Sequence, residues 1–287
     1  MKRIAILGGT GMAGHVAVSY LEECGYDTYF MSLSVKHTNK SKAFNVEDTF
    51  TLNTWLEKIR PEIILNCLGV LQRESEERPD RAILINAHLP RYLEHKYSTS
   101  QVKIIHLSTD CVFSGKRGGY LETDIVDGES IYARTKALGE IKNNKDITFR
   151  MSIIGPDCRK TGSGLFNWFV KQDGDIKGYA EALWNGITTI ELARAIDAAI
   201  NQRLTGLYHL VNSKPIDKYN LLMLFQKIFN KGNVDIIPYD DFVTDKTLIN
   251  TRSDFDFVVQ PYSVQIKTMK EWIERHHKFY PHYKNII

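Results

Sequence analysis

Three stretches of the chain place a tyrosine four residues before a lysine: Tyr92 and Lys96 in "YLEHK", Tyr132 and Lys136 in "YARTK", and Tyr280 and Lys284 in "YPHYK". On a helix this spacing puts both side chains on one face, a turn apart. A phenol beside an ammonium group can do acid–base work: hydride addition to a ketone leaves negative charge on oxygen, and a positioned donor must protonate it. A free tyrosine, with a reference pKa of about 10, is a slow partner at neutral pH, and a nearby lysine cation favours the phenolate. With 14 tyrosines in 287 residues, the spacing alone selects nothing. The choice rests on what precedes each pair.

Before Tyr132 runs the strand-like "VKIIHLS", which leads into "STD" and leaves Ser108 and Thr109 at its carboxyl end. A strand-end hydroxyl and a Tyr–Lys pair at the start of the next helix can converge on one carbonyl, which Thr109 polarises and Tyr132 protonates. The strand before Tyr92 and Lys96, "EIILNCL", ends in "GVLQRE" with no Ser or Thr, and Tyr280 and Lys284 sit in a terminal tail. Thr109, Tyr132 and Lys136 are therefore the candidate catalytic residues.

A second constellation lies directly after the first strand. "GGTGMAGH" sets Gly8, Gly11 and Gly14 at intervals of three, with Thr10, Met12 and Ala13 between them. The first glycine permits a tight turn, the second lets backbone approach a phosphate, and the third lets the helix pack close to the sheet, with its N-terminus facing a pyrophosphate. Between the first strand and the first helix, this pattern predicts dinucleotide binding. Folds that prefer NAD carry an acid at the end of the second strand to hold the ribose 2′-hydroxyl. Here "DTYFMSLSVKHTNKSK" has no acid between Asp27 and Glu47, and its tip offers Ser32, Ser34 and Lys36, which suit a 2′-phosphate. NADPH is the expected cofactor, with NADH the other option if that tip is an ordinary exposed loop.

The elements that must position these residues alternate. "RIAIL", a helix from about Met12 to Cys24, "DTYFMSL", "EIILNCL", "VKIIHLS" and "ITFRMSI", with helices between them, predict a doubly wound α/β fold around a parallel sheet. Pro61 ends the helix "TLNTWLEKIR", Pro79 opens the next, and Pro90 inside that one predicts a kink or break. Beyond Asp157 the rhythm loosens: "LFNWFVKQ" reads as a short helix, "GYAEALWNGITT" as a loop, "IELARAIDAAINQ" as a helix and "GLYHLV" as a strand. A helix over "DKYNLLMLFQKIF", a turn-rich region and a final amphipathic helix follow. Residues 1–160 with about 187–211 should form the dinucleotide-binding domain, and 161–186 with 212–287 a smaller lobe closing a cleft over the carboxyl edge of the sheet.

Bulk properties narrow the class. Composition is 43% hydrophobic and 25% charged, as in ordinary soluble domains, and the net charge of +3 is spread along the chain, which argues against nucleic acid as a partner. Cys24, Cys67, Cys111 and Cys158 show no metal-ligand spacing and read as reduced core thiols. His276, His277 and His282 read as a basic tail, with no acid at metal-binding spacing, so no metal is expected. No apolar run reaches membrane-spanning length and "MKR" leads straight into a strand, so no membrane partner and a cytoplasmic location are expected.

Taken together, "GGTGMAG", "STDCVFSGKRGGYLETD" and "IYARTKALGE" resemble the extended short-chain dehydrogenases, and within them the dTDP-4-dehydrorhamnose reductase group of nucleotide-sugar reductases. The likeness runs from residue 2 to about 156 and continues more loosely through "GLFNWFV" and "WNGITTIELARAI". It implies a Rossmann domain with a substrate lobe, and hydride transfer from NAD(P)H to a keto group of a nucleotide-activated deoxysugar, feeding surface polysaccharide synthesis. By motif position Thr109, Tyr132 and Lys136 take the catalytic places. Asn66 to Gly69, with Cys67 and Leu68, match the segment lining the cofactor, and Ile154 to Pro156 the segment near the nicotinamide. Asn45, Val46 and Ser108 complete the expected cofactor site. For the substrate, Gln72 and Arg73 follow the strand "EIILNCL", and the lobe offers Asn167, Trp184 and Asn185; an arginine could pair with diphosphate and an aromatic could stack on sugar or base.

One departure bears on the reaction. Related 4,6-dehydratases carry Asp-Glu after the threonine, whereas this chain has Asp110-Cys111, so the acid that would expel a hydroxyl is missing. Epimerisation on the same fold, and a non-catalytic NADP-binding regulatory subunit, remain the alternatives. The assembly stays open between a single chain and a homodimer.

Overall fold

Residues 1–284 are described by the computed structural model. In chain order the strands are β1 (Arg3–Leu7), β2 (Asp27–Ser32), β3 (Ser41–Ala43), β4 (Ile63–Asn66), β5 (Lys103–Leu107), β6 (Ile147–Arg150), β7 (Ile153–Ile154), β8 (Gly174–Tyr179), β9 (Ala182–Trp184), β10 (Ile187–Thr188), β11 (Gly206–His209), β12 (Ile216–Asp217), β13 (Val234–Tyr239) and β14 (Thr244–Asp245). The helices are α1 (Gly14–Glu23), α2 (Thr49–Ile59), α3 (Gln72–Glu77), α4 (Pro79–Ala82), α5 (Leu89–Lys96), α6 (Ile131–Gly139), α7 (Leu165–Phe169), α8 (Thr189–Gln202), α9 (Lys218–Ile228) and α10 (Tyr262–Arg275).

Seven strands form one sheet in the order β3-β2-β1-β4-β5-β6-β11, every pair parallel. The fold is doubly wound α/β. Alternation along each strand divides its apolar residues between two layers: Ile4 and Ile6 of β1 pack with α1 and α8, while Ala5 and Leu7 pack with α2, α5 and their neighbours. Strand order reverses around β1, whose neighbours are β2 on one side and β4 on the other. A crevice therefore opens there, at the carboxyl ends of the strands.

Pro90 does not break the helix. Residues Ile83–His88 form a π-helical turn that joins α4 to α5, and Leu89 N reaches back to Leu84 O. The wider turn lets the chain pass through a proline that has no N–H to donate. Helix α6 packs against this segment so closely that a Cβ on Gly139 would lie 2.0 Å from the Asn86 carbonyl oxygen.

The stretch read as a loop, "GYAEALWNGITT", instead holds the end of β8, then β9 and β10, and the turn-rich region holds β13 and β14. Their partners are distant in sequence: β8 pairs with β13, and β9 lies between β12 and β14. Phe166, Phe169, Phe225, Phe229 and Trp272 form an aromatic core for this lobe. Of the residues read as a basic tail, His277 is exposed, but the segment around them is packed in. Tyr280 and Tyr283 are each 1% exposed, and His276 stacks on Trp272 and pairs with Glu23 at 2.7 Å.

Candidate active site

The glycine loop follows directly from β1. Gly8 has φ +84°, a left-handed conformation that favours glycine, and its N–H, like that of Gly9, donates to Met31 O at the end of β2. A Cβ on Gly14 would sit 2.1 Å from Gly8 O, so a side chain there would push α1 off the sheet. No side chain caps the N-terminus of α1, leaving the dipole end of that helix open to an anion. Leu68 packs on Gly8 from the β4 side, Met12 lies against Gly164, and the Thr10 hydroxyl bonds that of Ser32 at the tip of β2. These residues fit a dinucleotide.

Around this cradle the other expected cofactor residues divide. Ser34, Lys36 and Asn45 are exposed; Lys36 O accepts the Ser41 hydroxyl at 2.7 Å, and the Asn45 side chain accepts Glu47 N at 3.1 Å. Val46 and Ile154 are buried, Val46 beside Trp55 and Ile154 in β7. Gly69 lies near the Asn86 amide, and Cys67 beside the backbone of Gly8.

At the end of β5, Thr109 begins a single 3-10 turn over Asp110–Val112. Its hydroxyl accepts Cys111 N at 3.1 Å and donates to Asp110 Oδ1 at 3.1 Å, and it lies near enough to the Tyr132 phenol to act on its ionisation. Ser130 caps α6 by accepting Ala133 N at 3.1 Å, which sets Tyr132 in the first turn and Lys136 one turn on. The buried Lys136 amine donates to Leu107 O at 2.6 Å, on β5. Burial lowers its pKa to about 8, while the charge of Glu140 opposes the change. Burial likewise holds the Tyr132 phenol well above its ordinary range, and the neighbouring Cys111 thiol and Asp110 carboxylate add to this while the nearby Thr109 hydroxyl opposes it. The lysine effect expected on the phenol does not appear, the Lys136 amine being turned to Leu107 O; desolvation dominates, and at neutral pH Tyr132 is a protonated donor.

Ser108 stands beside this group, but its hydroxyl is committed to Glu140 Oε1 at 2.9 Å. Behind it lies a buried network with no counterpart in the sequence reading. Glu140 accepts Arg150 Nε at 2.8 Å and Nη2 at 2.7 Å, and Arg150 Nη1 meets His209 Nε2 at 3.0 Å. An arginine inside the otherwise apolar run "ITFRMSI" was the available signal, because a buried charge needs a partner. Asn86 was missed as well. Its side-chain oxygen accepts Val70 N at 2.8 Å, and its amide donates to Val70 O at 3.0 Å and Thr135 at 3.2 Å, tying the loop after β4 to the helix that carries Tyr132.

The cysteines are not simple core thiols: Cys24 is exposed, and the other three are only partly buried. Cys67 lies between the glycine loop and Lys136, Cys111 follows Asp110, and Cys158 donates to Thr10 O at 3.3 Å. Burial raises Cys67 to about 12 and Cys111 to about 11, so both stay neutral.

The expected substrate residues scatter. Gln72 is at the site, its amide 3.4 Å from Cys111 Sγ. Arg73 is exposed and paired with Glu77 at 2.8 Å. Asn167 is buried with its amide spent on Gly155 O at 2.9 Å and Ser163 O at 2.6 Å, and its oxygen accepts the Tyr283 hydroxyl, so it fastens a loop and has nothing left for a ligand. Asn185 is likewise consumed by Asn212 O and Leu248. Trp184 is buried in the lobe, stacked on Tyr262. No group of histidine, cysteine and acidic side chains among the described residues could hold a metal ion, and no helix among them is long and apolar enough to cross a membrane.

A parallel sheet with a glycine loop at its strand-order reversal defines a dinucleotide-binding α/β protein. Residues 1–244 match the family model of the RmlD substrate binding domain, and the chain belongs to that family. It is 31% identical over 144 residues to a dTDP-4-dehydrorhamnose reductase of Aggregatibacter actinomycetemcomitans, a match spanning 49% of this chain and 46% of that protein. It is also 24% identical to the methionine adenosyltransferase 2 subunit beta of Mus musculus, over 84% of this chain and 76% of the other. Among solved structures, a dTDP-4-dehydrorhamnose reductase of Bacillus anthracis in complex with NADP superimposes with a TM-score of 0.80 at 20% identity, covering 94% of this chain and 99% of the other.

Proposed function

We propose that the protein reduces a keto group of a nucleotide-activated deoxysugar with NADPH, NADH being the second option, in a route to surface polysaccharide. The observation that carries the reading is the meeting of Thr109, Tyr132 and Lys136 at the ends of β4 and β5, next to the glycine loop. A bound nicotinamide would supply the hydride. Tyr132, protonated and desolvated, gives its proton to the carbonyl oxygen as charge develops there. Thr109, beside the phenol, would turn its hydroxyl from Asp110 to the same oxygen as a second donor. Lys136 lies where it can hold the nicotinamide ribose, and Gly8 to Gly14 with the α1 N-terminus hold the pyrophosphate. Ser32, with Ser34 and Lys36 on the loop beyond it, would receive a 2′-phosphate. The neutral Cys111 at the place of a dehydratase glutamate supports reduction over loss of a hydroxyl.

The test is to mix the protein, NADPH and a panel of dTDP-, UDP- and GDP-linked 4-keto-6-deoxy sugars, and to follow the reduced-nicotinamide absorbance. Oxidation with one of them is the expected result. The similarity to a methionine adenosyltransferase 2 subunit beta favours a second reading, a non-catalytic nucleotide-binding partner. Tight NADPH binding with no oxidation across the panel would establish that reading instead.

A further inference from the structure

The third Tyr–Lys pair has no part in the chemistry above, yet its tyrosine is buried against the dinucleotide cradle. Residues 276–284 lie beyond the stretch matched by the family model. They start at the far end of α1, where His276 pairs with Glu23, and run back along that helix to its first turn. There the Tyr280 hydroxyl meets His15 Nε2 at 2.8 Å, and His15 Nδ1 meets Gly11 O, in the middle of the glycine loop, at 2.8 Å. A carbonyl only accepts, so His15 Nδ1 carries the proton. Burial lowers the His15 pKa, so at neutral pH the ring is uncharged and Nε2 is left as an acceptor. The Tyr280 hydroxyl therefore donates to it, and the tyrosine oxygen accepts the Trp272 indole N–H at 3.1 Å. Every polar group in the buried series Trp272, Tyr280, His15, Gly11 is then satisfied.

Three residues on, Tyr283 does the same for the loop after β7. Its hydroxyl accepts Asp157 N at 3.0 Å and donates to Asn167 Oδ1, and the Asn167 amide in turn holds Gly155 O and Ser163 O. That loop touches the cradle: Cys158 Sγ donates to Thr10 O at 3.3 Å, and Met12 Sδ lies 3.5 Å from where a Cβ on Gly164 would stand. Two phenols on one short segment thus hold two pieces of backbone. One is Gly11, at the expected place of the pyrophosphate, and the other is Gly155 to Asp157, at the expected place of the nicotinamide. Backbone held in place before a ligand arrives spares the ligand the cost of ordering it.

We infer that Tyr280 and Tyr283 are positioning residues of the cofactor site: Tyr280 sets the pyrophosphate cradle through His15, and Tyr283 sets the nicotinamide end through Asp157 and Asn167. This rests on the dinucleotide-binding part of the proposed function and does not depend on turnover.

The experiment measures calorimetrically, on the full chain, the affinity for NADPH and for 2′-phospho-ADP-ribose, the same molecule without its nicotinamide. NADH and ADP-ribose take their place if NADH is the tighter ligand. The proteins are wild type, Tyr280→Phe, Tyr283→Phe, His15→Ala, which reads the Tyr280 link from its other end, and the double variant His15→Ala/Tyr280→Phe. Tyr26→Phe is the control, because it gives up a 2.7 Å hydrogen bond to Asp197 at the opposite end of α1. All are compared at a temperature where urea unfolding shows them folded, so a loss of stability alone does not lower affinity. Tyr280→Phe should weaken both ligands equally, by about 3- to 10-fold, the worth of one hydrogen bond. Tyr283→Phe should weaken NADPH by a similar factor and the fragment by less; equal losses would overturn its assignment to the nicotinamide end. The double variant should bind no more weakly than His15→Ala, since Tyr280 acts through that ring. Wild-type affinity in both tyrosine variants, or an equal loss in Tyr26→Phe, overturns the inference, while turnover of a keto sugar still supports the reductase reading. Tyrosine-dependent affinity without turnover of any keto sugar supports the inference and removes the reductase reading alone.

Discussion

Helices α5 and α6 lie side by side, and each carries a tyrosine four residues before a lysine, yet the two pairs meet different surroundings. Tyr92 exchanges hydrogen bonds with Asn53 of α2 at 2.7 and 2.9 Å, and Lys96 reaches Glu57 of the same helix at 3.7 Å. That pair ties two helices together on the outside of the sheet. Tyr132 and Lys136 instead face inward, to the hydroxyl that ends β5 and to the backbone of β5 itself. Identical spacing gives a fastening in one place and a desolvated acid with a buried cation in the other. The strand end in front of the pair makes the difference.

The sharpest way to break that contrast is to remove one oxygen from each helix. Tyr132→Phe should lower kcat on the keto sugar by about 10²- to 10⁴-fold, the usual worth of a positioned general acid, with NADPH affinity retained. Tyr92→Phe loses a hydrogen bond to Asn53 and should leave kcat unchanged. Equal losses in the two variants, read by steady-state kinetics, would remove the distinction.

The contrast was legible in part because local rules fix it. The parallel core follows from alternation in "RIAIL" and "VKIIHLS", the loop at Gly8 from a turn that only a left-handed residue can make, and the placing of Thr109 opposite Tyr132 from a strand end and a helix start. What was not legible depends on contacts across the chain. The β8–β13 pair joins segments whose local patterns look like turns, and Tyr280 reaches His15 behind the glycine loop at 2.8 Å. Asn167 has the right chemistry for a ligand, but its partners Gly155 and Tyr283 are known only once the chain is folded, whereas the Arg73–Glu77 pair, four residues apart on α3, was open to a local reading.

The second-largest effect lies behind the catalytic helix, where Glu140 ends α6 and holds Arg150. Both side chains are fully buried, so Glu140→Gln strands a guanidinium away from water and should cost about 3–5 kcal/mol in urea unfolding. Burial raises the carboxyl pKa of Glu140 while Arg150 lowers it, and Arg150 prevails. A loss below about 1 kcal/mol, the size expected of a surface pair, would show that the network does not hold the helix.

A smaller effect separates the lysines by pH. Lys136 titrates near 8 in the folded chain against 10.5 when free. Between those values the unfolded chain keeps a proton that the folded chain has released, so stability rises as pH climbs through the window and falls as pH drops through the folded value. Relative to Lys136→Met, the wild type should therefore gain stability from about pH 8 to 10.5. Parallel stability curves for the two proteins in that range would place the amine in water.

The smallest effect concerns the outer pair, and its size makes it informative. The Glu57 side chain is 70% exposed, and its oxygen stands 3.7 Å from the Lys96 amine, a distance at which solvent screens most of the attraction. Lys96→Met removes that ion pair but keeps an aliphatic stem to cover Tyr97, so the expected change in unfolding free energy is about 0–1 kcal/mol. Repeating the measurement in about 1 M salt, where the Debye length falls to about 3 Å, should shrink even that. The glutamate at 140 makes the internal standard, because its pairing is shielded from salt by burial: Glu140→Gln should cost the same at both ionic strengths, while the Lys96→Met cost disappears. If both costs vanish together in salt, the helix that carries Tyr132 is held by nothing stronger than the surface pair on its neighbour.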